Sequence, residues 1–352
     1  EKWMHKADLE LLSEVKGCAD CKEDEGSMYV TSAYLERYTV KPVVVYVEPK
    51  VEQIKNRTEQ GRAYLDFPVN KTTIYPDYRR NPEELQEIRR TIDVVKNDAN
   101  VHITQIDIDG YASPEGGYKN NARLAQGRAE ALKDYVMGQY EFSGDIFRVT
   151  STPEDWAGLK TRVAESNLPH KAEIIEFIDS DREPDNKEWK IKSTYKDEYR
   201  FMLDNFYPYL RHSDYFIEYV IRSYTDPKEI GNVMKVKPQN LSLEEFHAYA
   251  MTLEPGSPEF VEVFETAVRM YPTDEAANLN AANTAMSRGD MNNALRYLDK
   301  AGNSLEAEYA RGVYEFLQEN YDAALEIFEN SLKAGVEQAR EPIEKINKYN
   351  KL

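Results

Sequence analysis

The chain has 352 residues, of which 41% are hydrophobic and 31% charged, a composition that indicates two or three packed domains and excludes wholesale disorder. Its formal net charge of −18 excludes nucleic acids and anionic lipids as favoured partners, because an acidic surface repels both. The sequence contains no apolar run of the roughly 20 residues that a transmembrane helix requires. The first residues also lack the apolar core of a signal peptide, so we expect any export signal or anchor to lie outside this numbering.

Residues 1–40 form an N-terminal segment without a clear pattern, and they contain both cysteines, Cys18 and Cys21. A zinc site needs about four ligands, and neither a second cysteine pair nor a nearby histidine pair supplies them. The acidic run that follows Cys21 disfavours a reactive thiolate. The remaining interpretations are a small structural disulfide or two free thiols, and we expect no metal site.

The next part of the chain begins with two candidate strands and a well-marked helix. Residues 43–47 and 62–67 have the composition of strands. Asn81 is a favourable N-cap, and Glu84 stands where it would complete a capping box. The apolar face of this helix is predicted from residues at helical spacing: Leu85, Ile88, Ile92 and Val95.

A second strand and helix follow. Residues 101–110 alternate in polarity, and a slip between Ile103 and Ile106 predicts a β-bulge. The helix after them spans about 20 residues and ends at Gly138, a favourable C-terminal stop. Its apolar face consists of Ala125, Ala129, Leu132 and Val136. Residues 146–150 are predicted to form the next strand.

The rest of the chain divides into a helical insertion, a last strand and an all-helical region. Residues 156–207 are polar and mostly helical, and the alternation of Tyr215, Ile217, Tyr219 and Ile221 predicts the last strand. The order β-α-β-α-β-β predicts helices on a mixed sheet, within an α+β domain at 41–225. Residues 226–239 are the predicted junction. An all-α domain is expected at 240–352, where the first helix begins at Leu241.

One segment of the α+β region, residues 108–129, resembles the motif of the OmpA-like domain. Gly110 follows the strand, and Asn121, Leu124, Arg128 and Ala129 fall at the spacing of the motif. The resemblance extends over roughly residues 42–224. The Gly-Tyr-Ala-Ser-Pro-Glu-Gly stretch is similar to a variant found in OmpA-like proteins of Bacteroidetes-type bacteria.

This resemblance implies a binding site for the peptide stem of peptidoglycan. In the family, an Asp after the strand and an Arg on the helix hold the zwitterionic end of diaminopimelate. Arg128 stands at the Arg position, and Asn121 and Leu124 share its helical face. Ser113 stands where the family has Asp, and Glu115 is the candidate replacement for the missing charge.

The alternative roles of these residues stay open at this point. Arg128 can bind a carboxylate bidentately, or it can form a surface salt bridge with Glu115 or Asp109. Ser113 can contact a ligand, or its hydroxyl can order the loop. The family's Asn-Arg-Arg before the last strand is missing here, although Arg211 and His212 lie slightly upstream.

The C-terminal region resembles tetratricopeptide (TPR) repeats over residues 260–335. Small and aromatic residues recur at repeat positions: Phe264, Ala267, Pro272, Ala282, Ala285, Gly289, Ala294, Leu298, Ala301, Gly312, Ala324 and Phe328. Small side chains are needed where paired helices cross closely. Leu305, Tyr309, Val313 and Phe316 are interpreted as packing residues rather than a ligand groove. A TPR array implies a concave face that binds a protein partner.

The resemblances together predict a non-enzymatic cell-envelope protein in the periplasm or at the outer membrane of a Gram-negative bacterium. We expect it to bind the peptidoglycan stem and an unidentified protein, without a cofactor. The alternative is an interaction scaffold or surface-structure assembly factor with a vestigial peptidoglycan site. The chain has five scattered histidines and none of the common hydrolase or phosphate-loop motifs, which argues against an enzyme.

Overall fold

The computed structural model of the chain describes residues 6–16, 22–34 and 43–349, and within them the fold is mixed α+β with a helical C-terminal region. The chain separates into two compact units. Glu52–Thr225 form one, which we call the sheet unit. The other unit, which we call the helical unit, consists of Glu1–Val51 and Asp226–Leu352.

Two strands that the sequence pattern did not reveal form an N-terminal hairpin. Strand β1 (Lys6–Lys16) pairs antiparallel with β2 (Lys22–Tyr34). Cys18 and Cys21 fall between them in the sequence, outside the described residues, so the interpretation of these cysteines remains a prediction.

The sheet unit contains a four-stranded mixed sheet. Its strands are β3 (Lys55–Ala63), β4 (Val101–Tyr111), β5 (Phe147–Thr152) and β6 (Ser213–Ile221), in the order β3-β6-β4-β5. Strand β6 is antiparallel to both neighbours, and β4 and β5 are parallel. The predicted bulge is confirmed by a register shift in β4 between Ile103 and Gln105.

Two helices build the core of this unit with the sheet. Helices α1 (Asn81–Lys96) and α2 (Tyr118–Tyr140) bury the two predicted apolar faces, which are confirmed at every position. Ile106 and Ile108 of β4 belong to the same core, as do Tyr215 and Ile217 of β6. Burial of such side chains is the main term that stabilises the unit.

Several predicted boundaries are wrong, for identifiable reasons. The strand predicted at 62–67 is β3, which ends at Ala63. It does not continue because the backbone N–H and C=O of Asp66 form hydrogen bonds with the side chain of Asn81. Asn81 is therefore a buried loop anchor and not an N-cap. Helix α2 continues past Gly138 to Tyr140, and Glu141 adopts the left-handed conformation in place of the glycine.

Two further boundaries differ from the prediction by a few residues. Strand β5 begins at Phe147, after a short 3-10 turn, and extends to Thr152. The helix expected from Leu241 begins at Leu243, because Ser242 and Glu245 form a capping box there.

The predicted insertion is helical, as expected, and it has a core of its own. It consists of α3 (Trp156–Glu165), α4 (Lys171–Asp179), α5 (Pro184–Thr194) and α6 (Lys196–Asn205). Leu159, Val163, Ile174 and Met202 are among the buried residues that join these helices.

The C-terminal part of the helical unit consists of consecutive helices, each of which packs against the next one along the chain. They are α7 (Pro227–Val236), α8 (Leu243–Ala250), α9 (Pro258–Met270), α10 (Glu275–Ser287), α11 (Met291–Leu298), α12 (Leu305–Leu317), α13 (Tyr321–Lys333) and α14 (Arg340–Tyr349). Gly312 shows why small residues recur, since a Cβ there would lie 2.8 Å from the Phe328 ring. Tyr309, Val313 and Phe316 are buried as predicted, whereas Leu305 is exposed.

The structure corrects the prediction for residues 43–47. They are extended but form no strand, and they lie against helices of the helical unit rather than in the sheet. The boundary between the units therefore falls after Val51, and not at residue 41. At the other end it falls after Thr225, and the predicted junction at 226–239 contains helix α7.

Candidate functional site

A close approach of α2 to β4 determines where the motif residues lie. A Cβ on Gly110 would lie 2.4 Å from the carbonyl oxygen of Ala125 and 2.8 Å from the Cβ of Ala129. Only glycine allows this spacing, so the helix crosses the end of the strand with its backbone nearly in contact. Arg128 immediately precedes Ala129 on α2, and it lines a small cavity with Tyr111 and Ser213 at this end of the sheet.

All five residues that the sequence predicted for the site line one cleft in the sheet unit. They are Ser113, Glu115, Asn121, Leu124 and Arg128. The cleft has a volume of about 890 Å³. Residues 64–80 form a second wall, and Glu188, Lys192 and Tyr199 from the helical insertion form a third. The insertion is thus part of the site.

Arg128 is a half-buried cation without a matching anion. Its guanidinium carbon lies 4.9 Å from the centroid of the Phe67 ring, and its buried Nε forms no hydrogen bond with any residue that the structure describes. Among the described residues no carboxylate pairs with it, so neither predicted salt bridge, with Glu115 or with Asp109, forms. Burial is the largest cause that lowers the pKa of Arg128 to about 10, and the charges of Arg211 and Arg123 add to it.

Arg211 contacts both residues that the sequence suggested for the anionic half of the site. Its Nε donates to Ser113 Oγ over 3.0 Å, and its Nη2 pairs with Glu115. The Ser113 hydroxyl therefore orders the loop through Arg211. Glu115 has its carboxylate at the cleft, but it neutralises Arg211 instead of standing free.

Asn121 and Leu124 form the base of the cleft. The Asn121 Nδ2 donates to Gly116 O over 3.2 Å and to Glu154 Oε1 over 2.9 Å, which closes the motif loop onto the end of β5. Burial raises the pKa of Glu154, and the Trp156 Nε1 donates to its second oxygen. Asn121 thus uses both amide hydrogens within the protein, and Leu124 supplies an apolar surface.

The cleft carries positive charge in a strongly acidic protein. Its lining includes five cations and three carboxylates, namely Arg79, Arg80, Arg128, Lys192 and Arg211 against Asp66, Glu115 and Glu188. Lys192 lies 5.5 Å from the Tyr199 ring and pairs with no carboxylate in the part of the chain that the structure describes. Two cations are thus available, the exposed Lys192 and the half-buried Arg128, and Coulomb attraction is stronger than in water for the half-buried one.

Several cleft residues were missed by reasoning from the sequence. Phe67 was placed on a strand, and Lys192 and Tyr199 lie in an insertion for which no role was predicted. Arg211 could have been found from topology. It immediately precedes β6, and Gly110 at the end of β4 pairs with Ser213 at the start of β6. Antiparallel pairing of the two strands therefore brings Arg211 to the motif loop.

A second buried polar group lies near the same end of the sheet. The His212 ring stacks on Tyr111 with centroids 4.3 Å apart. Neither ring nitrogen forms a hydrogen bond with the described residues, and Asp214 Oδ1 lies 3.6 Å from Nε2. Burial and the charge of Arg62 lower the pKa of His212, while Asp214 and Asp155 act in the opposite direction. The folded unit therefore favours the neutral form of His212.

No family model matches the chain, and no curated protein is significantly similar to it in sequence. Within the described part of the chain, no helix combines the length and the apolar character needed to cross a bilayer.

Proposed function

We propose that the sheet unit binds the peptide stem of peptidoglycan, and that it does so without catalysis. The observation that carries the proposal is Arg128, a half-buried guanidinium that no carboxylate neutralises. Keeping such a charge out of water is unfavourable unless a ligand supplies the opposite charge. A carboxylate of the stem can accept two parallel hydrogen bonds from it.

Agreement with the OmpA-like pattern supports this choice of ligand. The strand order, the close contact at Gly110 and the position of Arg128 on α2 fit a domain of that family. The anionic half of the family's site is changed, however, because Arg211 holds Ser113 and Glu115. We propose that the site selects carboxylates of the stem, through Arg128 and Lys192, more strongly than the ammonium group of diaminopimelate.

For the helical unit we propose TPR-like repeats that bind a protein partner. The packing of consecutive helices against each other and the close contact of Gly312 with Phe328 support that proposal. Together the two activities describe an adaptor in the envelope of a Gram-negative bacterium, in the periplasm or at the outer membrane.

The wall-binding proposal is tested by sedimentation with purified peptidoglycan sacculi. The variant Arg128→Met removes the charge and keeps the length of the side chain, and we expect it to lose at least about tenfold in affinity. The matched control is Lys119→Met, which removes an exposed cation of the same helix that is not part of the cleft lining. We expect the control to bind as the parent does. Equal binding by parent and Arg128→Met would contradict the proposed role.

The alternative is an interaction scaffold whose wall-binding site is vestigial, and one observation favours it. The pairing of Arg211 with Glu115 leaves the family's anionic position satisfied inside the protein. If parent, control and Arg128→Met all fail to sediment with sacculi, the scaffold is the better description, and the function lies in the helical unit.

A further inference from the structure

Residues 43–48 lie in a groove of the helical unit as an extended peptide. The Val47 N–H donates to Asn280 Oδ1, and Asn280 Nδ2 donates back to the Val47 carbonyl oxygen, both over 2.8 Å. Asn283 Nδ2 donates to the carbonyl oxygen of Val45 over 2.7 Å. Two side-chain amides of α10 thus bind the backbone of the segment in the way that a neighbouring strand would.

One side chain of the segment has a pocket of its own. The Tyr46 ring stacks on Phe264 with centroids 4.9 Å apart, and it meets Phe260 edge-on at 5.0 Å. Both phenylalanines belong to α9. Beyond them, Tyr309 of α12 donates to the Val43 carbonyl oxygen over 2.9 Å. Backbone contacts therefore supply general affinity for an extended chain, and the aromatic pocket supplies selectivity.

The groove contains more hydrogen-bonding capacity than the segment uses. Asn280 and Asn283 are each only 1% exposed, although buried amides are unfavourable unless they are satisfied. The Asn283 Oδ1 accepts no hydrogen bond from the described residues, so residues 43–48 leave this buried acceptor unsatisfied. This arrangement suits a peptide backbone as ligand, and residues 43–48 satisfy it incompletely.

We propose that the groove is the peptide-recognition site of the helical unit, and that residues 43–48 occupy it as a displaceable ligand in cis. The peptide it takes in trans is extended and carries an aromatic residue between two β-branched residues, as in Val45-Tyr46-Val47. The proposal rests on the proposed protein-binding role of the repeats and not on wall binding. A partner binds here by displacing residues 43–48 from the groove. Its apparent affinity is therefore the intrinsic affinity multiplied by the fraction of molecules whose groove is open.

The test uses the full chain and a fluorescein-labelled synthetic peptide of residues 43–50, with binding followed by fluorescence anisotropy. Tyr46→Ala in the chain weakens the cis ligand, so the labelled peptide should bind this variant about tenfold or more tightly than the parent. A peptide with Val47→Pro lacks the N–H that Asn280 accepts, and it should bind about tenfold more weakly.

The matched control is a peptide with Val44→Pro, because the Val44 N–H makes no hydrogen bond with the part of the chain that the structure describes. It should bind like the parent peptide. Circular dichroism checks the helix content of Tyr46→Ala, and a chain with Val47→Pro takes its place if helices are lost. No binding to a folded open-groove chain, or equal binding of the Val47→Pro and parent peptides, overturns the proposal. Sacculus binding by the same variants stays at the parent level, which separates this site from the sheet unit.

Discussion

The burial of Arg128 leads to an uncommon prediction: removing this charged side chain should stabilise the protein. Burial and two neighbouring arginines lower its pKa to about 10, so the folded unit disfavours the charged form. At neutral pH, far below the pKa in either state, the residue is charged both folded and unfolded. The unfavourable interaction is therefore present in full under ordinary conditions.

The magnitude follows from the pKa and from one lost contact. A change of one in pKa corresponds to about 1.4 kcal/mol, so the fall to about 10 amounts to roughly 3 kcal/mol. Replacement by Met removes this penalty and also the cation–π contact with Phe67, which contributes about 1 kcal/mol. We expect Arg128→Met to raise the free energy of unfolding of the sheet unit by about 1–2 kcal/mol.

The assay is urea unfolding followed by tryptophan fluorescence, because Trp156 and Trp189 both belong to the sheet unit. Lys119→Met, which replaces an exposed lysine of the same helix, serves as the reference and should change stability by less than about 0.5 kcal/mol. A loss of stability in Arg128→Met relative to that reference would refute the reasoning. It would mean that the guanidinium is satisfied in the free protein and is not held ready for an anion.

Two further predictions concern the surroundings of the cleft. Burial lowers the pKa of His212, so stability of the sheet unit should fall as pH drops through about 6.5, the ordinary value for histidine. His212→Phe keeps the ring stack and should reduce the change of the urea midpoint between pH 7.5 and pH 5.5. A pH dependence equal to that of the parent would show that another group titrates. Gly110→Ala should lower the free energy of unfolding by about 1–3 kcal/mol and weaken sacculus binding, because the added methyl pushes α2 away from β4. Gly117→Ala, whose Cβ meets nothing within 4 Å, is its control in both assays.

Much of the sheet unit could be predicted because its elements follow simple periodicities. The apolar faces of α1 and α2 and the alternation in β6 report burial directly, and the structure places those residues in the core. The strand predicted at residues 43–47 was wrong for a physical reason. Their continuous apolar composition suits an extended chain. Distant residues decide whether the backbone of such a chain pairs with a strand or with side-chain amides, as it does here.

The candidate site could be predicted only where a motif marks it. Arg128 and Ser113 were identified from spacing, but the partner of Ser113 depends on a long-range pairing of strands. Asn81 looked like a helix cap because its sequence neighbours fit that role. Its side chain instead anchors the loop that carries Phe67, and a local pattern cannot reveal such a tertiary contact.

Strand β6 is the last strand of the sheet in the chain and yet lies in its middle, between β3 and β4. Arg62 and Asp214, whose side chains pair across β3 and β6, are 152 residues apart. During synthesis, β3 lacks the neighbouring strand of its sheet until the whole insertion has emerged, because β6 follows the insertion in the chain. Contacts of such sequence separation slow folding, and they leave strand edges open to aggregation in the meantime. Premature termination anywhere before β6 would consequently yield an unpaired β3 and an unfinished cleft, and not a smaller working domain.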